Sequence, residues 1–260
     1  MRRVVLTLLL AAALLLGLAG AAGASPPQDN PGKGPQNLTK IVFIHYPKGV
    51  MAKGGIPGPP DGGGKDKPEK LWYDNTGWYW LLDAVQYVVE DDVSDGFVAA
   101  IDAAFDEWEA TGASIDFENA GVFDGVPSSY ESDTWNTANE VGWIHFSLYD
   151  LPSNAIAVTT VWVFTGTTVI AEVDMAMNDD LPWWQNVVSG DPDEADGLAG
   201  YYDVQSIATH EAGHWLMLGD LYNRPAREQT MYGYGATGEV KKRSLESGDV
   251  AGVLEIYPAP

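Results

Sequence analysis

Apolar residues recur at intervals of three or four between Ser94 and Ala110, and this spacing predicts an amphipathic helix. Ser94 or Asp95 can cap its N-terminus, because either side chain can accept a hydrogen bond from a free backbone amide. We expect this long helix to pack its apolar face across a sheet. That face consists of Phe97, Val98, Ile101, Ala104, Phe105 and Trp108.

Short segments of β-branched and aromatic residues, separated by polar or turn-forming residues, predict five strands. These strands cover residues 84–89, 114–117, 141–148, 155–163 and 169–177. A last helix is predicted to begin with Ser247 or Asp249 as its cap. We expect residues 70–260 to be long enough for one well-packed domain.

The segment Thr209–Tyr222, THEAGHWLMLGDLY, contains the spacing H-E-x-x-H at His210, Glu211 and His214. In a helix, positions i and i+4 lie on the same face, about one turn apart. Two imidazoles placed in this way can bind one metal ion, and the carboxylate between them can take a proton from water. The spacing therefore predicts a zinc hydrolase site.

A catalytic zinc ion usually has three protein ligands and one open position. Asp220 follows His214 by six residues, and Gly219 can let the chain leave the helix through a backbone conformation that other residues resist. We therefore predict Asp220 as the third ligand. Glu228 and Glu239 are the alternatives, and either would make the protein a more distant zinc hydrolase.

These residues and the later Thr230–Gly233 resemble the signature of the metzincin metalloproteases, H-E-x-x-H-x-x-G-x-x-H followed by a methionine turn. Within that family the likeness is to matrixins of the bacterial and archaeal type. Met231 matches the methionine of the turn. Two positions depart from the pattern, since Met217 stands in place of the usual glycine and Asp220 in place of the third histidine.

The resemblance implies an α+β, metzincin-like catalytic domain. Its sheet would be twisted and mostly antiparallel-edged, with a long packing helix, an active-site helix and a C-terminal helix. The implied function is a zinc-dependent endopeptidase whose metal ligands are His210, His214 and Asp220. Glu211 would be the general base for the water that attacks the peptide bond.

The resemblance also assigns roles around the metal. Met231 would support the ligands from beneath, without taking part in the chemistry. Tyr232 and Tyr234, which follow it, would line a substrate pocket. The predicted strand 155–163 would be the free edge of the sheet, with which an extended substrate pairs through its backbone.

The N-terminal residues Met1–Ala24 are predicted to be a signal peptide. Arg2 and Arg3 precede an apolar run over residues 4–18, and small residues at 22–24 offer a cleavage site. A retained membrane anchor is the alternative, but the apolar run is short for a membrane span. We expect a secreted, extracellular protein without stable membrane association.

Residues 25–69 are rich in proline and glycine and are predicted to be a pro-segment or flexible linker. Lys40–Tyr46 differs from its surroundings, because its apolar residues predict a short strand. Ile41–Ile44 could pair with the edge of the domain or lie near the cleft. In that arrangement His45 could block the metal as an additional ligand.

The chain has 37 acidic and 14 basic residues, a formal net charge of −23, and no cysteine. Such a charge disfavours nucleic acid and anionic membranes as partners. The resemblance to matrixins implies a protein or peptide substrate, and we expect a monomer. The lack of cysteine excludes disulfides and latency through a cysteine ligand. The basic run Lys241–Arg243 is predicted to be solvated.

Acidic residues suggest structural Ca²⁺ in two places, residues 189–203 and Glu172–Asn178, because hard cations prefer several oxygen ligands. A solvated loop is the simpler interpretation of 189–203. Asp203 is predicted to cap the helix that carries His210. The alternative function is a secreted calcium-dependent binding or surface protein on an inactive protease scaffold, against which the intact Glu211 argues.

Overall fold

Nine strands and four helices make up the part of the protein described by the computed structural model, residues 37–49, 72–185 and 197–260. The helices are α1 (Asp95–Glu109), α2 (Ser128–Glu131), α3 (Val204–Trp215) and α4 (Ser247–Ile256). The strands are β1 (Leu38–Pro47), β2 (Ala84–Glu90), β3 (Asp116–Phe123), β4 (Glu140–Ile144), β5 (Ala157–Phe164), β6 (Ile170–Asn178), β7 (Trp183–Trp184), β8 (Tyr202–Asp203) and β9 (Tyr234–Gly235).

Seven of these strands form one mixed sheet in the order β3-β2-β4-β6-β5-β1-β9, and β7 pairs separately with β8. Strand β5 is antiparallel to both of its neighbours, β6 and β1. The other pairs in the large sheet are parallel. The predicted α+β class is confirmed, but the prediction of antiparallel edges is wrong, because both edge strands, β3 and β9, pair in parallel.

The five predicted strands are all present, with shifted ends. The prediction 114–117 corresponds to β3, which begins at Asp116 and continues to Phe123. The prediction 141–148 overlaps β4, which ends at Ile144, and a 3-10 turn follows at Phe146–Leu148. Polar residues interrupt the apolar pattern of β3, so the pattern shows only its beginning.

Helix α1 confirms the predicted amphipathic helix. The Ser94 side chain caps it by accepting a hydrogen bond from the Phe97 amide, at 3.4 Å. Phe105 and Trp108 are among the largest fully buried side chains. The indole nitrogen of Trp108 also donates to the Thr209 carbonyl at 2.9 Å, which joins α1 to the helix that carries the histidines.

Asp203 caps the N-terminus of helix α3, as predicted. The buried carboxylate of Asp203 accepts a hydrogen bond from the Ser206 amide at 2.8 Å. Arg243 donates to both of its oxygens, at 2.9 and 2.5 Å. The first turn of α3 is thereby tied to the segment that follows the methionine turn.

Helix α4 corrects the predicted cap. Its N-cap is Glu246, whose side chain forms a reciprocal capping box with Asp249, so neither Ser247 nor Asp249 is the capping residue. Asp249 is buried and its carboxylate also accepts hydrogen bonds from the Thr230 and Met231 amides, at 2.8 and 3.1 Å. The start of α4 therefore holds the methionine turn.

Strand β1 requires a correction to the predicted domain boundary. It lies inside residues 25–69, yet it pairs with β5 over eight positions, from Leu38 with Phe164 to His45 with Ala157. The folded unit therefore begins before residue 70. The pairing also shows that the predicted strand 155–163 is not a free edge, because β1 covers one side of β5 and β6 the other.

Several predictions fall outside the described residues. These are the signal peptide Met1–Ala24, most of the segment 25–69, and the acidic residues Asp191, Asp193, Glu194 and Asp196 of the proposed calcium loop. Within the described ranges, no helix is both long and apolar enough to cross a membrane.

Candidate metal centre

The imidazoles of His210 and His214 are oriented by backbone carbonyls. Nδ1 of His210 donates to the Thr230 carbonyl at 2.7 Å, and Nδ1 of His214 donates to the Leu218 carbonyl at 2.7 Å. These bonds assign the proton to Nδ1 in both rings and leave both Nε2 atoms as acceptors. The two Nε2 atoms lie 3.2 and 3.7 Å from Oδ1 of Asp220.

The turn that brings Asp220 to the histidines depends on Met217. Helix α3 ends at Trp215, and Met217 has a φ of +62°, in the left-handed region that favours glycine. The prediction that Gly219 supplies this conformation is therefore wrong. Gly219 instead allows the side chain of Asp74 to pack closely against the backbone, because a Cβ there would lie 2.6 Å from a carboxylate oxygen of Asp74.

In the part of the chain that the structure describes, two overlapping groups have candidate ligand atoms within 4.8 Å of one another and could hold a metal ion. One group is His210, His214 and Asp220, and the other is His45, His210 and Glu211. Nε2 of both α3 histidines and Oδ1 of Asp220 are buried and have no hydrogen-bond partner among the described residues. These three buried atoms carry lone pairs and lie close together without a hydrogen-bond partner, an arrangement that suits a bound cation.

The protonation states also suit metal ligands. Burial, followed by the charge of Lys242, lowers the pKa of His210 to about 3, and burial lowers the pKa of His214. Burial alone would raise the pKa of Asp220, but His214 and His210 hold it below its usual value. Two neutral imidazoles therefore face an ionised carboxylate, as metal binding requires.

The alternative third ligands lie elsewhere. Glu228 is exposed and pairs with Arg227 and Lys241, at 2.9 and 3.1 Å. Glu239 pairs with Lys48 at 2.6 Å and with Lys241 at 3.4 Å. Neither glutamate belongs to a group of candidate ligands in the described residues.

Glu211 lies beside the histidine pair without joining the group that contains Asp220. Its Oε2 accepts a hydrogen bond from the Thr159 hydroxyl at 2.6 Å, and its Oε1 lies 3.3 Å from Nδ1 of His45. The carboxylate is fully buried, and burial raises its pKa to about 8. It is thus a carboxyl group placed next to the candidate metal ligands with an affinity for a proton near neutral pH.

Met231 packs against the underside of α3. Its side chain is buried, and its Sδ would overlap with a Cβ placed on Gly213. The residue before it, Thr230, provides the carbonyl that orients His210. The methionine turn therefore supports one ligand through its backbone and the helix through its side chain.

We expect Gly213→Ala to destabilise the protein by about 1–3 kcal/mol, because the added methyl group overlaps Met231 and also lies 2.8 Å from Trp108. Thermal unfolding of the metal-free protein would measure the loss. Met231→Ala provides the matched partner, since it removes the overlapping sulfur. If the stability losses of Gly213→Ala and Met231→Ala simply add in the double variant, the overlap between these two residues is not the cause.

The two tyrosines assigned to a substrate pocket are half-buried near the ligands. The rings of Tyr232 and Tyr234 lie 5.7 Å apart, and Tyr222 lies 5.2 Å from Tyr234. The Tyr222 hydroxyl donates to Oδ2 of Asp220 at 3.1 Å, an arrangement that sequence reasoning missed. The role of Tyr232 and Tyr234 as a pocket stays a prediction.

Lys242 contradicts the prediction that the basic run is solvated. Its side chain is fully buried, donates to the Tyr232 carbonyl, and places Nζ 3.1 Å from Nδ1 of His210 and 3.4 Å from Nε2 of His45. Burial lowers the pKa of its ammonium to about 7. Charged neighbours on both sides in the sequence conceal this position, so no local pattern identifies it.

Glu172 and Asp174 lie in the buried part of β6, and neither belongs to a group of candidate metal ligands within residues 37–49, 72–185 and 197–260. Glu172 accepts hydrogen bonds from the Asn136 and Thr137 amides, and Asp174 accepts from the Ser129 and Glu140 amides. Burial raises their pKa values, to about 8 for Glu172 and about 7 for Asp174. These contacts give both residues a structural role in holding the segment before β4.

No protein-family model matches the chain, and no curated protein sequence matches it. The residues of this site are therefore the main indication of what the protein does.

Proposed function

We propose that this protein is a secreted zinc-dependent endopeptidase of the metzincin type. One observation carries the proposal: the unpartnered, buried atoms of His210, His214 and Asp220 face one another beside the carboxylate of Glu211. Two imidazoles and one carboxylate are an established ligand set for catalytic zinc. A fourth position would remain for water or substrate.

The surrounding fold supports the same proposal. A long helix, α1, packs against α3, which carries both histidines, and Trp108 joins them through its hydrogen bond to Thr209. A buried methionine follows at the turn beneath α3, held by the start of α4. Each of these features agrees with the likeness to matrixins, which the motif alone first suggested.

In this mechanism the ligands would hold Zn²⁺, which supplies Lewis acidity towards a peptide carbonyl and a nearby water molecule. Glu211 would accept a proton from that water as its oxygen attacks the carbonyl carbon. Glu211 would then deliver the proton to the leaving amine nitrogen. Thr159 would hold Oε2 of Glu211, so that Oε1 is the oxygen that exchanges the proton.

The expected partners follow from the sequence. The net charge of −23 disfavours nucleic acid and anionic membranes. We further propose that the substrates are proteins or peptides, that the protein is a monomer, and that a signal peptide directs its export. Structural Ca²⁺ would be an additional cofactor.

The direct test is casein hydrolysis by the purified protein, measured both before and after its N-terminal strand β1 is released by proteolysis. We expect cleavage to stop when a chelator removes zinc and to return when Zn²⁺ is added back, because the metal would supply the Lewis acidity on which the attack of water depends. Adding Ca²⁺ alone to the chelated protein is the control and should not restore cleavage. A zinc-bound protein that stays inactive, even after its N-terminal strand is released, would favour the alternative of a binding or surface protein.

A further inference from the structure

Strand β1 lies between β5 and β9, and its side chains cover the candidate metal centre. It is antiparallel to β5 along one side and parallel to β9 on the other, where Tyr46 pairs with Tyr234 and Pro47 with Gly235. The Lys48 amide also donates to the Gly235 carbonyl at 2.8 Å. A peptide bound by strand addition makes the same kind of backbone contacts.

Two side chains of β1 cover the candidate ligands. The ring of Phe43 stacks on His214, with centroids 4.1 Å apart and planes inclined by 8°. The ring of His45 packs on His210 at 3.9 Å. Glu211 and both α3 histidines are 0% exposed beneath this strand. A substrate carbonyl therefore has no access to Glu211 while β1 stays in place.

His45 occupies a fitted pocket. Its Nε2 lies 3.2 Å from the position of a Cβ on Gly235, and Ile156 and Ile207 approach the same position at 2.9 and 3.3 Å. Lys242 lies 3.4 Å from Nε2, and Oε1 of Glu211 lies 3.3 Å from Nδ1. A side chain at position 235 would crowd the ring of His45 and the ends of both isoleucines.

His45 does not belong to the candidate group that contains Asp220, and its own group, with His210 and Glu211, shares only His210 with it. The partners of His45 are Glu211, Lys242 and the ring of His210. The structure places His45 beside Glu211, the proposed base, and not among the ligands grouped with Asp220. The pocket accepts a flat, ring-bearing side chain directly next to the carboxylate that would act on the neighbouring peptide bond.

We propose that β1 is an internal pseudosubstrate, which fills the peptide-binding groove between β5 and β9 with His45 in the pocket beside Glu211. This inference rests on the proposed endopeptidase function, which it deepens. The enzyme is then latent until β1 leaves the groove. The groove takes extended peptides that present an aromatic or imidazole side chain at the position of His45.

The absence of cysteine in the chain allows a reversible lock on β1. The exposed hydroxyls of Thr39 and Thr165 lie 3.1 Å apart, so Thr39→Cys with Thr165→Cys places two thiols within disulfide reach, far from the metal ligands. A site for a specific protease, introduced into the glycine- and proline-rich residues 54–64, lets β1 be separated from the rest of the chain. Thr165→Cys alone is the matched control.

After specific cleavage, the reduced double variant should release its N-terminal fragment, and peptide hydrolysis should rise by roughly 10²-fold as the tether is lost. The oxidised double variant should stay at the uncleaved rate, and the single-cysteine control should behave like the reduced form. The second readout is the rate at which a chelator removes zinc, which should rise only when the fragment leaves. Added peptide of sequence 37–49 should restore inhibition, and the same peptide with His45→Ala should be weaker by roughly tenfold.

The outcomes separate the two proposals. Zinc removal that accelerates on release, with inhibition of chelation by the added peptide but no hydrolysis in any form, supports β1 as the groove occupant and rejects the endopeptidase. A fragment that never leaves the cleaved, reduced protein, or a protein that unfolds when it leaves, overturns the pseudosubstrate, because β1 would then be a permanent strand of the sheet. Equal hydrolysis by the oxidised and reduced cleaved forms also overturns it.

Discussion

We expect Glu211→Gln to lower kcat/KM for peptide hydrolysis by at least about 10²–10⁴-fold while zinc remains bound. Glutamine keeps the shape of the side chain and can still accept the hydrogen bond from Thr159, but it cannot take a proton from water. Glu211 is not in the group formed by His210, His214 and Asp220, so the candidate metal ligands are untouched. Hydrolysis and zinc content would be measured on the same samples, under conditions in which the wild-type chain is active.

Glu228→Gln is the matched control for this prediction, because it also removes one glutamate charge, but from an exposed side chain away from the ligands. It should hydrolyse peptides at the wild-type rate. Hydrolysis by Glu211→Gln at the wild-type rate would show that Glu211 is not the base. Loss of zinc in that variant would instead make Glu211 part of the metal site.

The local part of the site could be predicted from the sequence because it depends on one helical turn. The spacing of His210, Glu211 and His214 needs only a regular helix, and α3 provides it. The cap at Asp203 is local in the same sense, since its side chain contacts an amide three residues later. Such relations depend on backbone geometry that is the same in every helix.

The turn after α3 shows where local rules become insufficient. Glycine is the residue that most readily adopts a positive φ, so Gly219 was the natural candidate for that conformation. The chain places Met217 there instead, with its side chain fully buried and its carbonyl accepting hydrogen bonds from the amide and hydroxyl of Thr76. Tertiary contacts therefore stabilise a conformation that the residue alone would disfavour.

The pairing of strand β1 and the burial of Lys242 both depend on contacts with residues that are distant in the sequence. Leu38 pairs with Phe164, and Lys242 lies beside His45, so no window of neighbouring residues contains both members of either pair. The proline- and glycine-rich composition around β1 predicts a linker, and the charges around Lys242 predict a solvated run. The apolar residues of Lys40–Tyr46 do predict the strand, but they do not identify β5 and β9 as its partners. For Lys242, burial against distant residues overrides the local pattern.

We expect Asp220→Ala to weaken zinc binding by roughly 10²-fold or more, because the site would lose its only charged ligand. The histidines would remain oriented by the Thr230 and Leu218 carbonyls, so the fold should survive. A competition titration against a chromophoric chelator would measure the affinity. The rise in Tm that zinc produces in the wild-type protein should also shrink, because that rise depends on the ratio of zinc concentration to Kd.

Asp220→Asn distinguishes charge from shape in the same experiment. The amide can keep its oxygen towards the histidines and donate from its nitrogen to the Tyr222 hydroxyl, so the side chain should stay in place while its negative charge is lost. We expect its affinity for zinc to fall between those of the wild type and Asp220→Ala. Glu239→Ala is the control for the alternative ligand, and it should bind zinc normally because Glu239 pairs with Lys48 and Lys241. Tight zinc in Asp220→Ala together with weak zinc in Glu239→Ala would reverse the assignment of the third ligand.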